Sequence, residues 1–118
     1  MLPTNLGGYV GQDLPTANQG EALSYGFDFS PALSPDETIS SGAALLQLLE
    51  GTDQAVIDSP IAYNTGAVVI DGSTIAQLLT WPGGSNLVGN VYALYLSILT
   101  SRGQAIAAWA RIVMGRIG

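Results

Sequence analysis

The sequence predicts an all-β sandwich, and three observations carry that expectation. From Glu21 onward apolar residues recur with period two instead of 3.6. The runs that alternate are short and are separated by clusters of Gly, Pro, Asn, Asp and Ser at near-regular intervals. The chain has 118 residues, the size of one domain. About seven strands fit between residues 21 and 118, so the chain divides into an arm at 1–20 and a sandwich at 21–118.

The arm is set apart by composition. It holds Gly7, Gly8, Gly11, Gly20 and two prolines, with apolar anchors at Leu2, Leu6, Tyr9, Val10 and Leu14. Such a segment favours an extended chain over a packed element. It is either a solvated tail or an arm that pairs with a neighbouring subunit, its scattered anchors filling pockets there.

The first strand places Leu23, Tyr25, Phe27 and Phe29 on one face and Ser24, Gly26, Asp28 and Ser30 on the other. Pro31 and Ser34-Pro35-Asp36-Glu37 then turn the chain. Thr38–Leu49 is apolar in both phases of the alternation, which suggests a strand buried on both faces, although its Ala/Leu-rich end has helical propensity. Gly51-Thr52-Asp53 leads into a short run at Ala55–Asp58, stopped by Ser59-Pro60. Ala67–Ile70 and Thr74–Trp81 flank an Asp71-Gly72 turn. Val88–Thr100 is the clearest strand, with Tyr92, Leu94, Leu96 and Ile98 opposite Val91, Ala93, Tyr95 and Leu99. A connection at Ser101–Gln104 returns the chain along Ala105–Met114.

Composition excludes several kinds of chemistry. The chain lacks Cys, His and Lys, which removes thiol nucleophiles, zinc sites, Ser-His-Asp triads, P-loops and Schiff bases. Nine acidic residues against Arg102, Arg111 and Arg116 give a net charge of −6, and residues 1–101 carry no positive side chain. That balance repels phosphate backbones, so no nucleic-acid partner is expected. The apolar stretch Val91–Leu99 is too short for a membrane-spanning helix, and Met1–Asn5 lacks the basic start of a signal peptide, so a soluble protein with no membrane partner is expected. Charged residues amount to only 10% against 47% hydrophobic. For a small domain this hints that part of the surface is covered in an assembly.

Few constellations suggest a site. Asp71-Gly72-Ser73 has the order of a hairpin turn and not that of an aspartic-protease loop. Asp36, Glu37 and Asp53 stand at loop ends where calcium could sit, but no Asp-x-Asp-x-Asp spacing supports it, and acids at turns are ordinarily solvated caps. Trp109, among alanines, reads as core or inter-subunit packing. Trp81 adjoins Pro82-Gly83-Gly84 at a loop edge, where an indole packs inward, stacks on a sugar or caps a partner. No catalytic, cofactor-binding or metal-ligating residue is assigned; the candidate partner-binding residues are Leu2, Leu6, Tyr9, Val10 and Trp81.

The order of the turn motifs says more than any one of them. Tyr25-Gly26-Phe27-Asp28-Phe29-Ser30 precedes Glu37-Thr38-Ile39-Ser40-Ser41 and Gly51-Thr52-Asp53. Ile70-Asp71-Gly72, Gly83-Gly84, Gly89-x-x-Tyr92-x-Leu94 and Thr100-Ser101-x-Gly103-Gln104 follow. Over residues 22–113 this series resembles small immunoglobulin-like virion proteins of tailed bacteriophages, of the fibre–tail adaptor type. Asp36 stands where the family has glycine, the stretch from Gly84 to Gly89 is longer, and the arm is an addition.

The resemblance implies an immunoglobulin-like β-sandwich and a non-enzymatic structural protein without cofactors. It would act as an adaptor at the neck or tail, attaching fibres or other peripheral components in a symmetric homo-oligomeric assembly. Its partners would be other phage structural proteins, and it would reside in the virion after assembly in the host cytoplasm. The alternatives are a capsid head decoration protein and a carbohydrate-binding β-sandwich module.

Overall fold

The computed structural model describes residues 17–18, 20–83 and 87–115. Six strands form two antiparallel sheets packed face to face: β2 (Ala22–Asp28), β3 (Ile39–Glu50), β4 (Asn64–Asp71), β5 (Thr74–Thr80), β6 (Val91–Thr100) and β7 (Ala105–Gly115). One sheet has the order β2-β5-β4 and the other β7-β6-β3, with a two-residue strand β1 (Ala17–Asn18) lying parallel along the free edge of β7. Consecutive strands β2 and β3 belong to different sheets, as do β5 and β6. This Greek-key alternation gives the immunoglobulin-like arrangement of the B-E-D and C-F-G strands.

The alternation seen in the sequence sets which side chains meet between the sheets. Tyr25 and Phe27 of β2 and Ile75, Gln77 and Leu79 of β5 face Ala44 and Leu46 of β3 across the core. Tyr92, Leu94, Leu96 and Ile98 of β6, with Ile106, Ala108, Ala110, Ile112 and Met114 of β7, complete that layer. Gln77 is the polar intruder, and its amide has a structural task. The pairing of β4 with β5 shifts between Thr65 and Val69, and Gln77 Nε2 donates to the freed carbonyls of Thr65 and Gly66 at 3.3 and 3.2 Å. A buried amide is retained where it satisfies backbone groups that an irregular ladder leaves open.

Two sequence expectations are corrected. The run at Ala55–Asp58 is not a strand but part of a short helix, α1 (Gln54–Asp58), so the described residues from 21 onward hold six strands and not seven. The cause is Asp53, whose carboxylate accepts from the Val56 N–H and caps the helix start, overriding the β-branched character of Val56 and Ile57. Second, Thr38–Leu49 is not buried on both faces. β3 buries Ala44 and Leu46, but Leu45 and Leu49 on the opposite side are 46% and 41% exposed.

Candidate functional site

Of the predicted partner-binding residues, Trp81 lies among the described ones. Leu2, Leu6, Tyr9 and Val10 lie outside the described residues. Trp81 is corrected: it is 1% exposed and belongs to the core, so its ring offers no surface to a sugar or a partner. The chain continues the β2–β5 ladder past Thr80, Trp81 N–H donating to the Glu21 carbonyl at 2.8 Å, and this turns the indole inward. There its Nε1 donates to Tyr25 Oη at 3.3 Å, and its ring lies 5.6 Å from that of Tyr63 and 5.1 Å from that of Tyr92. Aromatic groups at these separations, edge-on or tilted, prefer one another to water.

The loop acids are held by their own chain. Asp53 accepts from Tyr63 Oη at 2.8 and 2.7 Å and from Tyr92 Oη at 2.6 Å. Asn90, itself buried, donates to Tyr92 Oη at 3.2 Å and to the Thr52 carbonyl at 2.9 Å. Burial, and then the adjacent Asp53 carboxylate, push the Tyr63 phenol above its ordinary value. Tyr92 shifts the same way, chiefly through burial, against a smaller opposing effect of the Asn90 hydrogen bond. Glu37 accepts from Thr100 Oγ1 and from the Ser34 N–H, and these bonds hold its carboxyl below the usual range. Both carboxylates act as polar fasteners between loops and strands. Gly72 and Ser73 form the β4–β5 hairpin turn, with Asp71 paired to Thr74 at its base and Gly72 at φ +63°. Among the described residues no three acidic side chains cluster as metal ligands would.

The unusual feature is instead the outer side of the β3-β6-β7 sheet. Register places Leu45, Tyr95 and Trp109 side by side across three strands, and the Tyr95 and Trp109 rings lie 5.8 Å apart. Next to this row run Ala43, Ser97 and Ala107. Beyond them stands Leu99, 45% exposed. Among the described residues, Glu50 at one corner and Arg111 on β7 are the charged side chains on this face, and their signs cancel. The apolar surface continues around the edge of β3 into an open groove of about 490 Å³, lined by Leu45, Leu48, Val56, Ile57, Pro60 and Tyr95. The free edge of β3 is partly closed, since Leu46 N–H donates to the Pro60 carbonyl at 2.8 Å and Asn64 Nδ2 to the Ala44 carbonyl at 3.0 Å. Strand addition at that edge is thereby restricted, while the face remains open.

Sequence reasoning missed this face, although the signal was present. β3 and β6 are apolar in both phases of their alternation, which satisfies either a sheet covered on both sides within the chain or one covered by another molecule. Comparison with protein-family models and with curated proteins found no match to this chain.

Proposed function

We propose that the chain is a non-enzymatic structural protein of a tailed-phage virion, an adaptor at the neck or tail that attaches fibres or other peripheral components to the particle. The observation that carries this reading is the neutral, apolar outer face of the β3-β6-β7 sheet. A small domain that leaves Leu45, Leu49 and Leu99 exposed beside half-buried Tyr95 and Trp109 on one sheet face is suited to assembly with another protein surface. The immunoglobulin-like sandwich supplies a rigid body for such contacts, and the order of motifs over residues 22–113 supports the phage-adaptor family. Catalysis has no support in the loops, where the buried carboxylates are taken up by hydroxyl and amide donors.

Gold-labelled antibody against this protein, applied to purified particles and viewed by electron microscopy, tests the proposal. Label at the neck or tail is the expected result. Label spread over the capsid would make the protein a head decoration protein, and absence of label would overturn the virion reading. The glycan-module alternative has lost its aromatic platform, because Trp81 is enclosed between Tyr25, Tyr63 and Tyr92.

A further inference from the structure

We propose that the outer face of β3, β6 and β7 pairs with the same face of a second copy of this chain. The two-fold axis would run across the strands, between the Leu45–Tyr95–Trp109 row and the Ala43–Ser97–Ala107 row. The inference deepens the assembly reading above and rests on the same face.

The first argument is relief. A two-fold interface uses one patch twice, so every ridge must find a trough in the same patch. Here a row of three large side chains adjoins a row of three small ones, in register on all three strands. An axis between the rows lays Tyr95 over the partner copy's Ser97 row, and Trp109 and Leu45 over its alanines. The same operation carries Leu99 to the far side of the opposite ridge. Strands in the two copies then run antiparallel, within the aligned-packing angle of about 30° usual for stacked sheets.

The second argument is charge. The chain carries a net −6, and a random encounter between copies brings carboxylates together. On this face Glu50 and Arg111 cancel, whereas Asp28, Asp58 and Asp71 stand on the other sheet, in turns or on α1. Two copies meeting through it therefore avoid the repulsion felt in other orientations.

The third argument is area. Three strands about 4.8 Å apart and five outward residues along each give a face of roughly 500 Å² in projection. With the axis between the third and fourth of those rows, four rows of each copy overlap, so a pair buries about 800 Å² in projection before side-chain relief is added, at the low end of specific interfaces.

Sedimentation equilibrium of the full chain, with Ser97→Arg and Ser24→Arg variants, tests the pairing. Ser97 lies in the trough, and Ser24 is exposed on β2 of the other sheet, so neither substitution reaches the core. The wild type should sediment at twice its 12.2 kDa mass. Ser97→Arg should weaken association at least about tenfold by placing an unpaired charge against the opposite ridge. Ser24→Arg should match the wild type, and both variants should keep the far-ultraviolet circular dichroism of the sandwich. A monomeric wild type at about 100 µM, or a Ser97→Arg chain that still pairs normally, would overturn the proposal. The particle-labelling experiment separates the two readings. A monomer that labels the neck or tail keeps the adaptor and sinks the self-pairing, whereas a dimer that labels no particle does the reverse.

Discussion

Asp53 is a buried carboxylate that gathers three donors. It receives the Tyr63 and Tyr92 hydroxyls and the Val56 N–H, tying the start of α1 to β6 and to the turn before β4. Replacing it by alanine removes a helix cap and leaves two inward-facing phenols without an acceptor. Asp53→Ala should therefore cost about 3–5 kcal/mol in urea unfolding, with Asp53→Asn costing less because one oxygen still accepts. Two residues earlier, Gly51 has φ +102°, and a Cβ there would lie 1.9 Å from Asn90 Oδ1. Gly51→Ala combines left-handed strain with displacement of the Asn90 side chain that holds Thr52. It should cost at least about 2 kcal/mol by the same measurement, and a neutral result would mean that the loop re-forms without this contact.

Strands and helices differed in how far they could be read from the residues. β2, β5, β6 and β7 stand where the alternation put them, because each has one core face and the apolar phase fixes its register. α1 was hidden because its capping acid gains its strength from tyrosines 10 and 39 positions further on, a tertiary arrangement no local pattern records. β3 showed the complementary difficulty. Its second apolar phase is visible in the sequence, but whether that phase is covered by the same chain or by another depends on how many layers the fold has. The two tryptophans divide along this line. Trp81 is enclosed between the sheets, whereas Trp109 lies half-buried on the outer side of β7 against Tyr95. Trp81→Ala should cost about 3–5 kcal/mol, and Trp109→Ala less than about half of that in the dissociated chain. Equal costs would place Trp109 in the fold's own core and remove it from the proposed interface.

Across the whole molecule, the titrating groups bracket the pH range in which the sandwich is most stable. At the acid end, Glu37 is held below the ordinary carboxyl range by Thr100 and the Ser34 N–H, and Asp28 by the N–H and hydroxyl of Ser30. A carboxyl depressed in the folded state contributes stability above its unfolded value, near pH 4, and loses it as pH falls through the folded value. At the alkaline end, Tyr25, Tyr63 and Tyr92 are all raised, burial being the first cause in each. A phenol raised in the folded state contributes its full stability below the ordinary tyrosine value near 10 and loses it as pH rises toward the folded value. Melting temperature should thus be flat from about pH 5 to pH 9 and fall on both sides. Absorbance of the phenolate separates this cause from general charge repulsion. Three of the five tyrosines should ionise only as the chain unfolds above pH 10, together with the loss of circular dichroism. Tyr92→Phe should remove one of those delayed protons and make the alkaline limb shallower, although it lowers stability at neutral pH by leaving Asp53 one donor short. If Tyr63 and Tyr92 instead titrate near pH 10 while the dichroism stays folded, the Asp53–Tyr63–Tyr92 cluster is open to water and the fastening role assigned to it fails.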